Sequence, residues 1–277
     1  MDDRAILQAG TRYVVKVSET VGVVALCTVL GLVIGSFLNV VIWRVPRGES
    51  VVRPGSHCPS CDQEIRARDN IPVVSWLLLR GKCRDCGNPI SARYPAVELL
   101  TAVVFGLLAW HFGLSWELPA YLFLAAIGVA LAIIDVDHRR LPDVLTLPAT
   151  PVMLALLLLP SVLDHQWGSL LRAVLAGVAL FAFYFVLAFI YPAGMGLGDV
   201  KLAPLLGVAL GWISWGLVAW GTFLGFALGA VIGVAIAIAR RSGRKTAIPF
   251  GPFMLTGTLI ALLAGNQLTS WYLGLFS

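Results

Sequence analysis

Long apolar stretches separated by short polar ones run along most of this chain, and most are long enough for a helix that crosses a hydrocarbon layer. Windows of about 20 apolar residues place eight predicted helices near 20–43, 94–112, 118–135, 144–160, 168–191, 201–215, 217–239 and 252–272. The stretch from Leu202 to Ala239 carries no charge. It is long enough for two spans of roughly 28 Å at about 1.5 Å per residue, or for one span and a buried excursion. Glycines and tryptophans around Gly211–Gly216 suit a tight turn between two spans. One segment breaks the apolar pattern, the polar and basic residues 44–93. The expected organisation is a first helix within 1–43, a soluble insertion at 44–93, and a helical bundle over 94–277.

Composition agrees with a membrane protein. Hydrophobic residues make up 58% and charged residues 13%, with a mean hydropathy of +0.87, whereas soluble domains average about 45–50% and 25%. Charges occur throughout the first twenty residues without a small-residue cleavage site, so the first apolar run is expected to stay as a signal anchor. Basic residues then orient the helices. Nine Lys/Arg lie in 44–93, two in 136–143, one at Lys201 and four in 240–249, and eight crossings put all of these on one side. The opposite loops near 113–117 and 161–167 have none. The expectation is an all-α polytopic protein of about eight spans, with its basic loops cytoplasmic and both termini outside. The net charge of +5 tracks loop parity, so it indicates topology and no nucleic-acid surface.

The insertion carries four of the five cysteines, as Cys58-Pro-Ser-Cys61 and Cys83-Arg-Asp-Cys86. Paired Cys-x-x-Cys knuckles supply two thiolates from each of two turns, the set that tetrahedral zinc takes in structural sites. Disulfides are the alternative, disfavoured in a reducing cytoplasm. Four thiolates leave no open position for substrate, so the role expected for Zn2+ is structural. Gly87 follows the second knuckle where a positive φ is often needed. His57 adjoins the first knuckle without being required, and Cys27 reads as a small apolar residue of the first helix.

Two carboxylates stand where apolar runs meet polar loops. Asp135 ends the third run, in Ala-Ile-Ile-Asp-Val-Asp-His, and Asp199 closes Gly194-Met-Gly-Leu-Gly-Asp at the start of the sixth. An ionisable group beside hydrocarbon costs several kcal/mol by most estimates and is functional by default. The glycines let backbone come close to whatever the acid handles, an extended peptide for example. Helix parity puts both acids at one membrane edge, where a pair sharing a proton can activate water and protonate a leaving group. Asp137 and Asp143 compete with Asp135. Residues i and i+2 of a helix point about 200° apart, so Asp137 cannot face the partner that Asp135 faces. Asp143 follows Pro142 and suits an N-cap or first-turn acid. Glu98 is either an interfacial acid or a support for the site. A proton-relaying transporter is the rival reading, but it wants acids near the bilayer midplane rather than at helix ends.

Together these features resemble the type IV prepilin peptidases, which are leader peptidase and N-methyltransferase enzymes of bacterial membranes. The resemblance rests on Gly-Ser-Phe-Leu-Asn-Val-Val-Ile-Trp-Arg-Val-Pro (35–46), the four cysteines, Asp69-Asn-Ile-Pro, Gly81-Lys-Cys, Arg93-Tyr-Pro and Glu98-Leu-Leu. It continues through the Asp135 segment, Gly-x-Gly-Asp and Pro249-Phe-Gly-Pro252. It implies that Asp135 and Asp199 are the catalytic pair and that prepilins and type II secretion pseudopilins are the substrates. Methylation of the new N-terminus from S-adenosylmethionine and residence in the inner membrane are implied as well. No glycine-rich nucleotide fingerprint occurs in 44–93, so methyl transfer rests on the resemblance alone. None of these features sets the oligomeric state.

Overall fold

A computed structural model describes residues 3–192, 195–239 and 249–274. Among these the protein is an all-α polytopic membrane protein whose helices fall into two compact units, one ending at Leu118 and one formed mainly by residues from Pro119 onward. Among the described residues, six helical segments are long and apolar enough to cross a membrane: Glu19–Arg47, Arg93–Phe112, Leu118–His138, Asp143–Leu163, Trp167–Ile190 and Trp215–Ile236. The basic loop expected at 240–249 lies outside the described residues up to position 248.

In the first unit, α1 (Asp3–Arg44) and α3 (Arg93–Phe112) form an antiparallel hairpin with the polar insertion at its tip. α1 starts far earlier than the apolar window at 20, because its first turns are polar while remaining helical. Small residues set the spacing of the two helices. A Cβ on Gly31 would come within 2.7 Å of Ala102 Cα, one on Gly35 within 2.7 Å of Glu98 Cα, and one on Gly106 within 2.7 Å of Thr28 Oγ1. Gly31 and Gly35 are four apart on one face, the spacing that lets membrane helices approach where lipid supplies no hydrophobic drive. The insertion contains α2 (Val74–Leu78) and two single turns of 3-10 helix.

In the second unit, α4 (Leu118–His138), α5 (Asp143–Leu163), α6 (Trp167–Ile190), α7 (Leu197–Ile213), α8 (Trp215–Ala239) and α9 (Gly251–Gly274) surround α7 as their centre. From Val200 to Trp212 only Lys201 and Pro204 are not buried. α6 pairs with α7 through Gly177, Gly207 and Gly211, whose added Cβ atoms would meet Val208, the Ala176 carbonyl and Ala176 Cβ. α8 pairs with α9 through Gly221, Gly225 and Gly257 in the same way. Tyr121 of α4 donates to the Ala209 carbonyl of α7 (2.8 Å). Arg172 of α6 closes the far end of α7 by donating to the carbonyls of Gly211, Trp212 and Ile213. The uncharged stretch after Leu202 is indeed two helices, and the break is the single residue Ser214, inside the window expected for the turn.

The four-residue glycine spacings that seat these pairs were not singled out by the hydropathy windows, which weigh apolar length and not side-chain size. α7 also begins at Leu197 rather than near 201. Asp199 and Lys201 end an apolar window, yet a helix's first turn accepts an acid readily.

Candidate functional sites

The insertion folds around its cysteines. In each knuckle the first cysteine's amide donates to a carbonyl five residues on, Cys58 to Gln63 (2.9 Å) and Cys83 to Asn88 (2.8 Å). The residue after the second cysteine donates back, Asp62 to Cys58 and Gly87 to Cys83. Those two residues occupy the left-handed region, at φ 57° and 72°, where Gly87 is unstrained and aspartate is among the better-tolerated side chains. Antiparallel bridges between His57 and Glu64 and between Lys82 and Pro89 close the hairpins. Ion pairs then link the segments: Arg66 to Asp85 (2.9 Å), and Arg84 by two nitrogens to Asp69. The Arg84 guanidinium holds the Asp69 carboxyl below the usual range.

The four sulfurs lie within 4.8 Å of one another, and Cys58 Sγ is 3.8 Å from Cys86 Sγ. A disulfide needs about 2.05 Å, whereas sulfurs around a tetrahedral ion at about 2.3 Å stand roughly 3.8 Å apart. The donor set therefore fits a metal ion. Backbone N–H groups of Ser60 and Cys61 hold the Cys58 thiol down to about 6. Burial and the neighbouring sulfurs instead push Cys61 up to about 12 and Cys86 upward, so Cys58 is the first of these three to become the thiolate that a metal requires. His57 is outside the sulfur cluster, near Gly55 and Asp62. Cys27 is buried in α1.

The insertion is tied to the α1/α3 hairpin by polar groups. Glu98 of α3 is buried and accepts from the Val73 amide (2.6 Å), with Ser36 of α1 as a second partner. Asn39 of α1 donates to the carbonyls of Tyr94 (3.1 Å) and Gly35 (3.3 Å). Glu98 is thus a structural tie between elements of the first unit.

The carboxylate site is built in the second unit from segments far apart in sequence. Asp135 lies in the last turn of α4 and is 5% exposed, and Asp199 lies in the first turn of α7 and is 7% exposed. Asp135 Oδ2 accepts from the Gly251 amide (3.0 Å), the first residue of α9. Asp199 Oδ2 accepts from the Gly196 amide (3.3 Å), just before α7. Each acid therefore uses one oxygen on an otherwise unpaired amide at a helix start, where the helix dipole also favours negative charge. The other oxygen of each carboxylate has no protein partner among the described residues.

The structure brings the two acids within electrostatic reach of each other. Leu141, in the loop after α4, connects them sterically. A Cβ on Gly198 would meet Leu141 Cβ at 3.1 Å, and one on Gly251 would meet Leu141 Cδ1 at 3.5 Å and Asp135 Oδ2 at 2.9 Å. Glycine at 251 is what lets the amide reach the carboxylate. Gly251 and Leu141 were absent from the expected site. The Pro-Phe-Gly-Pro quartet was the available signal, since a glycine opening an apolar helix leaves a bare amide. Tyr184, buried in α6 and stacked on Phe226 (5.7 Å), also lies within electrostatic reach of Asp199.

Asp137 is exposed, two residues past Asp135. Asp143 is also exposed, opens α5, and pairs with Lys201 of α7 at 2.7 and 2.9 Å. Gly194, the first glycine of the glycine run, lies outside the described residues.

Comparison with known proteins agrees with these two parts. Residues 29–112 match the Bacterial Peptidase A24 N-terminal domain, and residues 122–238 match the Type IV leader peptidase family. A prepilin leader peptidase/N-methyltransferase of Stutzerimonas stutzeri is 38% identical over 92% of this chain and 96% of its own length. The proteins of that name from Pseudomonas aeruginosa and Neisseria gonorrhoeae are each 38% identical over 90% of this chain, and over 93% and 94% of their own lengths. No solved structure matches. With relatives this similar over nearly the whole of both chains, the protein belongs to the prepilin leader peptidase/N-methyltransferase family.

Proposed function

We propose that this protein removes the leader peptide of prepilins by means of Asp135 and Asp199, and that it then N-methylates the new amino terminus. The observation that carries the reading is the pair of buried carboxylates, each fixed through one oxygen by a helix-start amide with its other oxygen unengaged. Such a pair shares one proton. The ionised member takes a proton from water as that water's oxygen attacks the scissile carbonyl carbon. The protonated member gives its proton to the carbonyl oxygen, and collapse of the diol returns a proton to the leaving amine. Neither acid forms a covalent bond to substrate. Gly251 and Gly196 orient the two carboxyls, and Leu141 and the buried α7 keep bulk water from one side of the pair.

The rest of the reading concerns division of labour. Residues 44–93 hold a structural zinc ion through Cys58, Cys61, Cys83 and Cys86 and belong with methyl transfer from S-adenosylmethionine, whereas 94–277 carry the peptidase. Pseudopilins of type II secretion are substrates of the same class. The basic loops support a cytoplasmic position for the insertion and for both acids in the inner membrane. A prepilin with a short basic leader before one apolar helix would present its scissile bond at that edge. The test is leader cleavage by purified protein in lipid, comparing wild type with Asp135→Asn and Asp199→Asn. Both variants should be inactive while staying inserted and metal-loaded. Near-normal cleavage by either one refutes the assignment of the pair.

A further inference from the structure

α2 presents the wrong face for a helix in water. Its serine, Ser75, is buried and donates to the Arg68 carbonyl (2.9 Å). Its apolar residues point outward, with Val74 48%, Leu77 61% and Leu78 76% exposed, preceded by Ile71 at 50%. Val74, Leu77 and Leu78 follow the i, i+3, i+4 spacing of α2, which places them on one helical face. A polar residue inside and leucines outside is the pattern of a surface that faces hydrocarbon.

The position of α2 says what covers that stripe. Val73, immediately before α2, donates to Glu98 (2.6 Å), the sixth residue of α3. Trp76 in α2 donates through Nε1 to the Ile90 carbonyl (3.0 Å), three residues before α3 starts. Both bonds hold α2 beside the first turns of a membrane span, within about 8 Å of its end at 1.5 Å per residue. The headgroup region on each side of a bilayer is of about that thickness. Below this level α3 itself exposes Leu99, Leu100 and Val103, so the apolar surface continues into the span. Exposed Arg68, Arg80 and Lys82 flank α2, as basic residues flank helices that lie in the plane of a lipid interface.

We propose that the Ile71–Leu78 segment is a membrane-surface anchor, in which α2 lies at the headgroup–acyl boundary with Leu77 and Leu78 in lipid and its basic neighbours at the phosphates. The anchor rests on α3 being a membrane span and is independent of the peptidase assignment. Tethered through Val73 to α3 and through Trp76 to the segment just before it, even so short a helix stays at the interface without binding energy of its own to localise it. Its effect is to fix the orientation of the thiol knuckles relative to the bilayer.

The test uses the full-length, metal-loaded protein in nanodiscs of mixed zwitterionic and anionic lipid. A genetically encoded fluorescent amino acid replaces Leu78, Val103 or Gln63, one at a time, and the acyl chains are brominated near the headgroup or left unbrominated. Emission from position 78 should fall at least about twofold in brominated lipid, as should that from position 103, while position 63 on the knuckle stays unquenched. Quenching at 78 no greater than at 63, with 103 quenched, overturns the anchor. Emission at 78 that responds to an added single-span peptide with a basic leader, and not to bromine, assigns the face to that helix and also overturns it. Absence of quenching at 103 removes the span on which the anchor rests, and the anchor with it. Should replacement of Leu78 lower the metal content, position 77 gives the same reading.

Discussion

The four thiols of the insertion come from two hairpins, each closed by its own amides within six residues. Asp135 and Asp199 stand 64 positions apart, and the amide that holds Asp135 comes from Gly251, 116 residues further on. The first site is therefore specified by local turns and needs only a metal ion to join its halves. The second exists only when α4, α7 and α9 are assembled, because Asp135, Asp199 and the Gly251 amide come from three different helices. The two sites also differ in what fixes their ligating atoms. The sulfurs can settle around an ion, whereas each carboxylate is set by a backbone amide that has no freedom once its helix has formed. Loss of a part should therefore be felt differently, as unfolding in the insertion and as misplacement in the bundle.

The largest effect should come from the carboxylates themselves. Asp135→Asn and Asp199→Asn are each expected to lower leader cleavage by about a thousandfold or more, since amides keep the shape and lose the proton exchange. The double variant should be little worse than either single one, because the two act as a unit. Additive losses in a purified assay would separate the acids into independent roles.

Next in size is Gly251→Ala. A methyl group there would lie 2.9 Å from Asp135 Oδ2, so the carboxyl must turn off its amide. Displacements on that scale cost about tenfold to a hundredfold in rate, and helix content and bound metal should be unchanged. Gly198→Ala, which meets Leu141 Cβ at 3.1 Å, should cost less. Full activity in Gly251→Ala would show that the amide does not position the acid.

Metal removal sharpens the contrast from the other side. Structural zinc contributes on the order of 10–16 kcal/mol to the folding of small cysteine domains, more than an insertion with so little buried apolar surface can replace. Chelation, or Cys58→Ser, should lower bound metal from about one per chain and open 44–93 to proteolysis. Helices α4–α9 should stay protected. Methyl transfer should fall at least as far as cleavage. Loss of protection in α4–α9 instead would make the insertion essential to the bundle. Acid should mimic chelation, because the thiolates must be deprotonated to hold the ion.

The same contrast explains what could be read in advance. The knuckles were visible because their chemistry is written in local spacing, and the spans because apolar length is a local property. The two acids were visible as intrusions into apolar runs, and helix parity alone placed them at one edge. Gly251 and Leu141 were not visible as site residues. The Pro249-Phe-Gly-Pro252 quartet marked Gly251 without disclosing its role, which follows from a bare amide at a helix start, and Leu141 acts by a packing contact in a loop that residue type does not mark. The helix pairings were hidden for a related reason, since Gly31/Gly35 and Gly207/Gly211 matter through the absence of a side chain. Glu98 was ambiguous in the sequence because its partner is the Val73 amide, and any residue at 73 other than proline would supply it.

The smallest effect should belong to Asp143, and it tests whether closeness to the site is enough to make an acid part of it. Asp143 opens α5 and pairs with Lys201, two residues after Asp199, yet its side chain is 56% exposed. Exposed pairs contribute about 0.2–1 kcal/mol, and asparagine starts a helix nearly as well as aspartate. Asp143→Asn should therefore keep cleavage within about twofold and lower the melting temperature by no more than about 4 °C. Asp143→Lys should do more, since it places like charges together at the start of α7 and strains the turn that carries Asp199. Asp137→Asn, at an exposed position facing away from Asp135, should behave like Asp143→Asn. If Asp143→Asn were instead as inactive as Asp199→Asn, with insertion and metal content normal, the reaction would use an exposed acid, and burial with a fixing amide would no longer distinguish the catalytic pair from its neighbours.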